Sequence, residues 1–108
     1  PSYSEWTKVT ELDGNTFYVD FERIRKHDGY VYYWILRDLL KPHKLGFLSA
    51  KTYNQGDCKL FRFKYLSASS HKEPMGGGTG TRGTPSSKWN YPPPNSSVEL
   101  ILKEVCSR

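Results

Sequence analysis

The two cysteines, Cys58 and Cys106, are the most informative reactive residues of the chain. They can form only one intramolecular disulfide, which would place the protein outside the reducing cytosol. A redox-active pair is disfavoured because the close C-x-x-C spacing of such sites is missing. We therefore favour a structural disulfide, with two unpaired thiols as the open alternative.

Basic and aromatic side chains alternate between Lys59 and Tyr65. Aromatic rings combined with cations bind single-stranded nucleic acid, so this segment is a candidate binding surface. On a strand, an aromatic row of Phe61, Phe63 and Tyr65 would share one face, and Cys58 would lie on the other face with Arg62 and Lys64. If Cys58 faces a helix, the aromatic row is then uncovered unless a bulge shifts the register. The candidate binding residues are Tyr32, Trp34, Phe61, Arg62, Phe63, Lys64 and Tyr65.

No motif in the sequence indicates catalysis or metal binding. The three histidines, His27, His43 and His71, are far apart and lack a second ligand at a spacing typical of metal sites. The Gly-rich run at 75–84 does not end in the Gly-Lys-Ser/Thr of a phosphate-binding loop. We therefore expect a non-enzymatic protein with no catalytic residue, no metal and no cofactor.

Length and composition limit the fold and the partners. With 108 residues, the chain is the size of one domain, 1–108, and its 36% apolar content makes the core depend on the 15% of aromatic residues. A net charge of +5 permits binding to nucleic acid, anionic glycans or acidic proteins. No apolar run is long enough to span a membrane. The start at Pro1 is compatible with a cleaved export signal.

Several strands are predicted to position these residues. Asp13-Gly14 predicts a hairpin within 6–19, and a brief helical turn or irregular connector follows at 20–26. The aromatic and aliphatic run 30–36 predicts a strand that is apolar on both faces. Such a strand is either central and covered by protein on both faces, or it presents one apolar face to a partner. Two further strands are predicted at 46–53 and 58–66, joined by a turn at 54–57.

The last third of the chain combines a loop with a helix. Residues 68–94 are rich in Gly, Ser and Pro and predict a long, mobile loop. The pair Ser96 and Glu99 predicts a capping box at the start of a helix over 96–106. Its apolar stripe has helical spacing and consists of Val98, Ile101, Leu102 and Val105.

An ordered set of short segments resembles the bacterial surface-adhesin protein E family. The segments are Tyr18-Val19-Asp20, Ile24-Arg25-Lys26, Gly29-Tyr30-Val31, Trp34, residues 49–53, Asp57-Cys58, Met75-Gly76, Trp89, Pro94-Asn95-Ser96 and Val105-Cys106. The resemblance implies an α+β fold, in which one antiparallel sheet of about five to six strands carries a C-terminal helix tethered across one face by Cys58 and Cys106. It also implies export to the periplasm or outer-membrane surface of a Gram-negative bacterium, with membrane attachment only through a removed N-terminal anchor.

The expected function is that of an adhesin-like binding protein. Its expected partners are an extracellular or host matrix protein and a second copy of itself, as a homodimer. One alternative is a small-ligand carrier with an aromatic pocket lined by Trp34, Trp89 and Tyr91. The other is a single-stranded nucleic-acid binder, although nucleic acid is disfavoured as a partner of an exported protein.

Overall fold

One antiparallel sheet and one helix make up the structure, a computed structural model that describes residues 5–108. The sheet order is β1-β2-β4-β5-β6-β7, and β3 pairs with the first residues of β4. Two short 3-10 turns, Phe21–Arg23 and Pro74–Gly76, lie between strands. The predicted α+β class, with a single sheet and a C-terminal helix, is confirmed. The elements are β1 (Thr7–Leu12), β2 (Asn15–Val19), β3 (Arg25–His27), β4 (Tyr30–Leu39), β5 (Ser49–Asp57), β6 (Arg62–His71), β7 (Gly80–Gly83) and α1 (Ser97–Cys106).

The first hairpin turns where the sequence predicted it. Asp13 and Gly14 both have positive φ, 52° and 78°, which matches the two-residue turn that suits the twist of antiparallel strands. Beyond β2, the predicted helical turn is present at Phe21–Arg23. The strand predicted at 30–36 is confirmed as β4 and extends to Leu39.

The turn predicted at 54–57 is wrong, because these residues complete β5 and the turn lies at 58–61. Asp57 organises this turn: its Oδ1 accepts hydrogen bonds from the backbone N–H groups of Lys59 and Leu60, at 3.1 and 3.2 Å. Phe61 closes the turn with a φ of 52°. Strand β6 therefore begins at Arg62, and Cys58 lies outside its alternation.

Gly56 suggested a turn but has a packing role within β5. A Cβ atom at this position would lie 2.9 Å from Leu102 Cδ1 and 2.9 Å from Val31 Cγ1, closer than carbon atoms normally approach. Only glycine lets the helix approach the sheet this closely without a shift of its neighbours.

The predicted C-terminal helix is confirmed at Ser97–Cys106. The Ser96 hydroxyl accepts the N–H of Glu99 at 3.2 Å, and the Glu99 carboxylate accepts the N–H of Asn95 at 3.0 Å. The capping box thus forms with its reciprocal bond one residue upstream of the usual position. The stripe residues Ile101, Leu102 and Val105 are buried against a core formed by Val19, Val31, Tyr33 and Ile35.

The predicted disulfide joins Cys58 to Cys106, with their Cα atoms 5.7 Å apart. It ties the last residue of α1 to the turn between β5 and β6. For the sequence separation of 48 residues, the chain-entropy model gives a stabilisation of about 4 kcal/mol.

The region predicted as a loop over 68–94 is more ordered than its composition suggests. Residues 68–71 complete β6, and β7 pairs with them at 80–83. Further along, Asn90 forms an isolated bridge with Phe63. The edge of β6 presents unpaired backbone groups, and small, flexible residues can satisfy them by pairing alongside.

Candidate functional site

The sheet has one face that carries α1, the helix face, and an opposite face, the open face. Along β4, Val31, Tyr33 and Ile35 pack into the core beneath α1. The alternate residues Tyr30, Tyr32 and Trp34 point the other way. Residues directly opposite one another on neighbouring strands share a face. The register therefore assigns to the open face Tyr53 and Gln55 of β5, and Arg62 and Lys64 of β6.

The prediction that Phe61, Phe63 and Tyr65 form an uncovered row is wrong. Phe63 lies opposite Gly56 and Tyr65 opposite Asn54, which places both on the helix face. Phe63 is only 4% exposed, and Phe61 packs against the core beneath α1. The prediction treated Cys58 as a strand residue, but the turn at 58–61 separates its orientation from that of β6.

A cluster of aromatic rings, the aromatic patch, occupies the open face instead. The Trp34 and Tyr53 ring centroids are 4.8 Å apart, and those of Tyr32 and Tyr53 are 6.3 Å apart. The Tyr30 ring stacks on Trp89 at 5.8 Å. All five rings remain partly exposed. They present a broad apolar surface with little side-chain freedom to lose on binding.

Trp89 reaches the patch because the chain before the helix passes along the edge of β6. Asn90 exchanges backbone hydrogen bonds with Phe63, at 2.7 and 2.9 Å. The adjacent Trp89 ring then meets two cations of β6: Arg62 Cζ lies 4.3 Å and Lys64 Nζ 4.4 Å from its centroid. These distances are within the range of cation–π attraction.

Asp57 holds Arg62 in place beside the patch. Arg62 Nε donates to Asp57 Oδ2 at 2.9 Å. Burial acts to raise the pKa of Asp57, but the hydrogen bonds from Arg62, Leu60 and Lys59 together hold this pKa below its usual value. The hydrogen bond to Asp57 in turn raises the pKa of Arg62. The pair fixes the cation while the same carboxylate closes the turn at 58–61.

A shallow cleft of about 600 Å³ adjoins the patch, with Trp34 and Tyr53 on one side and residues 22–25 on the other. Arg23 on this rim lies 3.4 Å from the buried carboxylate of Asp20. Arg25 lies opposite Tyr32 on the open face, and no acidic partner within 5–108 lies at ion-pair distance from it. The cleft thus combines an aromatic wall with cations.

The other end of the open face is closed by the segment Pro74–Gly76. The Asp38 carboxylate accepts the N–H of Met75 at 2.8 Å, and the Ser49 hydroxyl accepts the N–H of Gly76 at 2.8 Å. Leu36 is fully buried, and a Cβ at Gly76 would lie 3.6 Å from its Cδ1. This segment thus covers the open face around Leu36, and the aromatic patch and its adjoining cleft lie outside the covered part.

The comparisons with known proteins agree with this architecture. The sequence model described as surface-adhesin protein E matches residues 6–107. The chain belongs to the surface-adhesin protein E family. The resemblance inferred from the sequence is thereby confirmed.

Solved structures of Haemophilus influenzae protein E share the fold of this family member. Crystal form II of Haemophilus influenzae protein E has a TM-score of 0.79 to this chain at 14% identity, and the match covers 99% of this chain and 91% of that chain. A second structure has a TM-score of 0.77 at 14% identity, covering 99% and 87%. Protein E from non-typeable Haemophilus influenzae has a TM-score of 0.60 at 15% identity, covering 99% and 80%. No curated protein matches the chain.

The predicted binding residues divide between the two faces. Tyr32, Trp34, Arg62 and Lys64 lie on the open face, whereas Phe61, Phe63 and Tyr65 pack on the helix face. The prediction missed Tyr30, Tyr53 and Trp89 as members of the patch. For Tyr30, the signal was in the sequence: positions 30, 32 and 34 are all aromatic and share one face of a strand.

The aromatic pocket predicted around Trp34, Trp89 and Tyr91 has a different arrangement. Trp34 borders the cleft with Tyr53, Trp89 stacks on Tyr30, and Tyr91 is 65% exposed. Within residues 5–108, no group of three His, Cys, Asp or Glu side chains is placed to hold a metal ion. Across the same residues, no helix has the length and apolar character needed to cross a membrane.

Proposed function

We propose that this chain is an exported, non-enzymatic adhesin that binds an extracellular macromolecule through the aromatic patch. The observation that carries the proposal is the uncovered group of five aromatic rings with Arg62 and Lys64 on the face opposite the helix. Tyrosine, tryptophan and arginine are the residues most enriched at the energetic centres of protein interfaces. Membership of a surface-adhesin family supports the same function.

The disulfide supports export, because such bonds persist mainly in oxidising compartments. We place the protein in the periplasm or on the outer-membrane surface of a Gram-negative bacterium, attached through an N-terminal lipid anchor. Analysis of the unprocessed precursor tests this localisation. The proposal requires an export signal in the precursor, and a cysteine directly after its cleavage site would carry the lipid anchor.

A host matrix protein with an acidic surface is the partner that suits the patch. The chain carries a net charge of +5, and the cations Arg25, Arg62 and Lys64 surround the rings. Complementary charge would accelerate association and orient the partner, while the rings would supply most of the affinity.

Binding to immobilised basement-membrane matrix, measured by biolayer interferometry, tests the proposal. Lys64→Gln should slow association and reduce the dependence of binding on salt, because a rim cation acts mainly on the association rate. Lys103→Gln is the matched control, since it removes the same charge from the exposed surface of α1. Equal effects of the two variants would contradict a role for the open face.

Self-association through the same patch is the second candidate, and the uncovered rings on β4 favour it. Size-exclusion chromatography with light scattering over a tenfold concentration range tests it. A dimer that Tyr32→Ala dissociates would support the second candidate. A monomer at every concentration would contradict it and leave the macromolecular partner as the function of the patch.

The sequence-based case for nucleic acid is weakened by the fold. It depended on Phe61 and Phe63 as stacking rings, and both pack on the helix face.

A further inference from the structure

The helix covers only part of its own face of the sheet. Helix α1 packs chiefly on β1 and β4. Beyond it, β5 and β6 contribute the small residues Ala50, Thr52 and Ala68, which leave a cleft of about 390 Å³. This volume lies within the range of known small-ligand sites, about 300 to 1,000 Å³.

The walls of this helix-face cleft are mostly apolar. Phe17 and Ile35 line it from β2 and β4, and Val98 lines it from the first turn of α1. Pro85, from the segment that follows β7, also lines the cleft. The cleft is open to solvent and is separated from the aromatic patch by the thickness of the sheet.

Among residues 5–108, Arg37 is the only charged residue that lines the cleft. In the part of the chain that the structure describes, its buried Nε has no hydrogen-bond partner, and its guanidinium group forms no ion pair. A buried donor without an acceptor is costly, and this one belongs to a guanidinium group that matches carboxylates in geometry and charge. The described residues therefore provide no anionic acceptor for this group.

Tyr65 provides a second polar group in the same cleft. Burial raises the pKa of its hydroxyl, and the nearby Arg37 acts in the opposite direction. The hydroxyl thus remains protonated at neutral pH and can donate to an anion. Thr52 and Ser97 are the other hydroxyl side chains of the lining.

We infer that the helix-face cleft binds a small amphipathic anion, namely a medium-chain alkyl carboxylate. Its carboxylate pairs with Arg37, with Tyr65 as a second donor. Its alkyl chain lies along Ala50, Ala68 and Val98. One cation in an apolar cleft suits one headgroup charge on an apolar chain, and it does not suit a polyanion. The inference is independent of the proposed adhesin function, which uses the opposite face.

Isothermal titration with decanoate below its micelle concentration, compared with decanol and decylamine, tests this inference. We expect saturable binding of decanoate, at least tenfold weaker binding of decanol, and no binding of decylamine. Arg37→Gln should remove the preference for decanoate over decanol. Arg25→Gln, which removes the same charge from the open face, should leave this preference unchanged.

A second variant tests the location of the alkyl chain. Ala68→Leu should fill the cleft and abolish decanoate binding, while circular dichroism reports whether the variant folds. If Ala68→Leu does not fold, the comparison of Arg37→Gln with Arg25→Gln still tests whether the cleft binds the carboxylate. Absence of saturable binding, equal affinity for decanoate and decanol, or equal effects of the two arginine variants would overturn the inference. Because the adhesin proposal uses the opposite face, Arg37→Gln should leave binding to the matrix unchanged. Measuring matrix binding of this variant therefore distinguishes failure of this inference from failure of the adhesin proposal.

Discussion

Strand β4 contributes two rows of side chains with very different surroundings. Val31, Tyr33 and Ile35 are at most 6% exposed beneath α1, whereas Tyr30, Tyr32 and Trp34 remain partly exposed on the open face. Both rows are rich in apolar and aromatic residues. The comparison teaches that residue type alone does not separate core from binding surface in a small sheet. What covers each face decides whether its rings stabilise the fold or remain available to a partner.

Loss of the disulfide, which ties α1 to the turn at 58–61, is expected to have the largest effect. In the variant with Cys58→Ser and Cys106→Ser, the free energy of unfolding should fall by about 4 kcal/mol, because the unfolded chain regains the entropy of a long loop. Guanidinium denaturation followed by circular dichroism measures this loss. Wild-type protein under reducing conditions should behave like the variant. A change below about 1 kcal/mol would show that α1 holds its position without the bond.

Truncation of a side chain that α1 buries against the sheet tests the comparison of the two faces directly. Leu102→Ala should lower the free energy of unfolding by about 3 kcal/mol, since it leaves a cavity in a fully buried site. Tyr32→Ala on the open face should cost about 1 kcal/mol or less. Urea denaturation of the two proteins provides the measurement. Similar losses would mean that the open face also functions as core.

Neighbouring residues of β5 offer a finer test. Gly56→Ala should destabilise by about 1 to 3 kcal/mol, because the added methyl would collide with Val31 and Leu102. Gln55→Ala, one residue away and facing the open side, should change stability by about 0.5 kcal/mol or less. Thermal unfolding of both variants measures these changes in stability. A neutral Gly56→Ala would indicate that α1 can shift away from the sheet.

Sequence reasoning could predict the elements with strong local signals. Asp13-Gly14 gave the first hairpin, the stripe of α1 gave the helix, and the cysteine count gave the disulfide. These features depend on neighbouring residues or on a pairing with one solution. The single antiparallel sheet with its tethered helix was implied by the family resemblance, and the order of the strands was not predicted, because pairing between distant segments leaves little trace in one sequence.

The site was predicted only in part, for two physical reasons. Glycine occurs both in turns and where side chains pack closely against a strand, and the sequence around Gly56 was interpreted as a turn. Only the position of Leu102 in the folded protein shows that Gly56 has the packing role. That error shifted the turn by four residues and reversed the deduced orientation of Phe63 and Tyr65. Trp89 could not be assigned, since its place depends on the backbone bridge between Asn90 and Phe63.

The smallest expected effect is the pH dependence of stability that comes from Asp57. This residue organises the turn at 58–61, which is linked to α1 through Cys58 and to the open face through Arg62. The folded pKa of Asp57 lies below its ordinary value of 3.8, so the folded state favours the carboxylate. Its stabilising contribution is therefore present above about pH 4 and is lost as the pH falls through the lower, folded value. The melting temperatures of wild type and Asp57→Asn should differ at pH 6 and converge toward pH 2.5.

A control at an exposed carboxyl completes the pH test. Asp28→Asn, whose side chain is 80% exposed, should follow the wild-type melting curve at both pH values. A gap between wild type and Asp57→Asn that stays constant down to pH 2.5 would show that the charge of Asp57 does not support the turn.

Hydroxyl-radical footprinting with mass spectrometry tests the central claim most directly, because it reports the exposure of individual side chains. The protein is oxidised alone and bound to solubilised basement-membrane matrix. The account predicts that the matrix reduces oxidation of Tyr32, Trp34 and Trp89 several-fold and leaves Phe17 and Leu100 on the helix side unchanged. Protection of Phe17 and Leu100, with Trp34 and Trp89 unaffected, would contradict it.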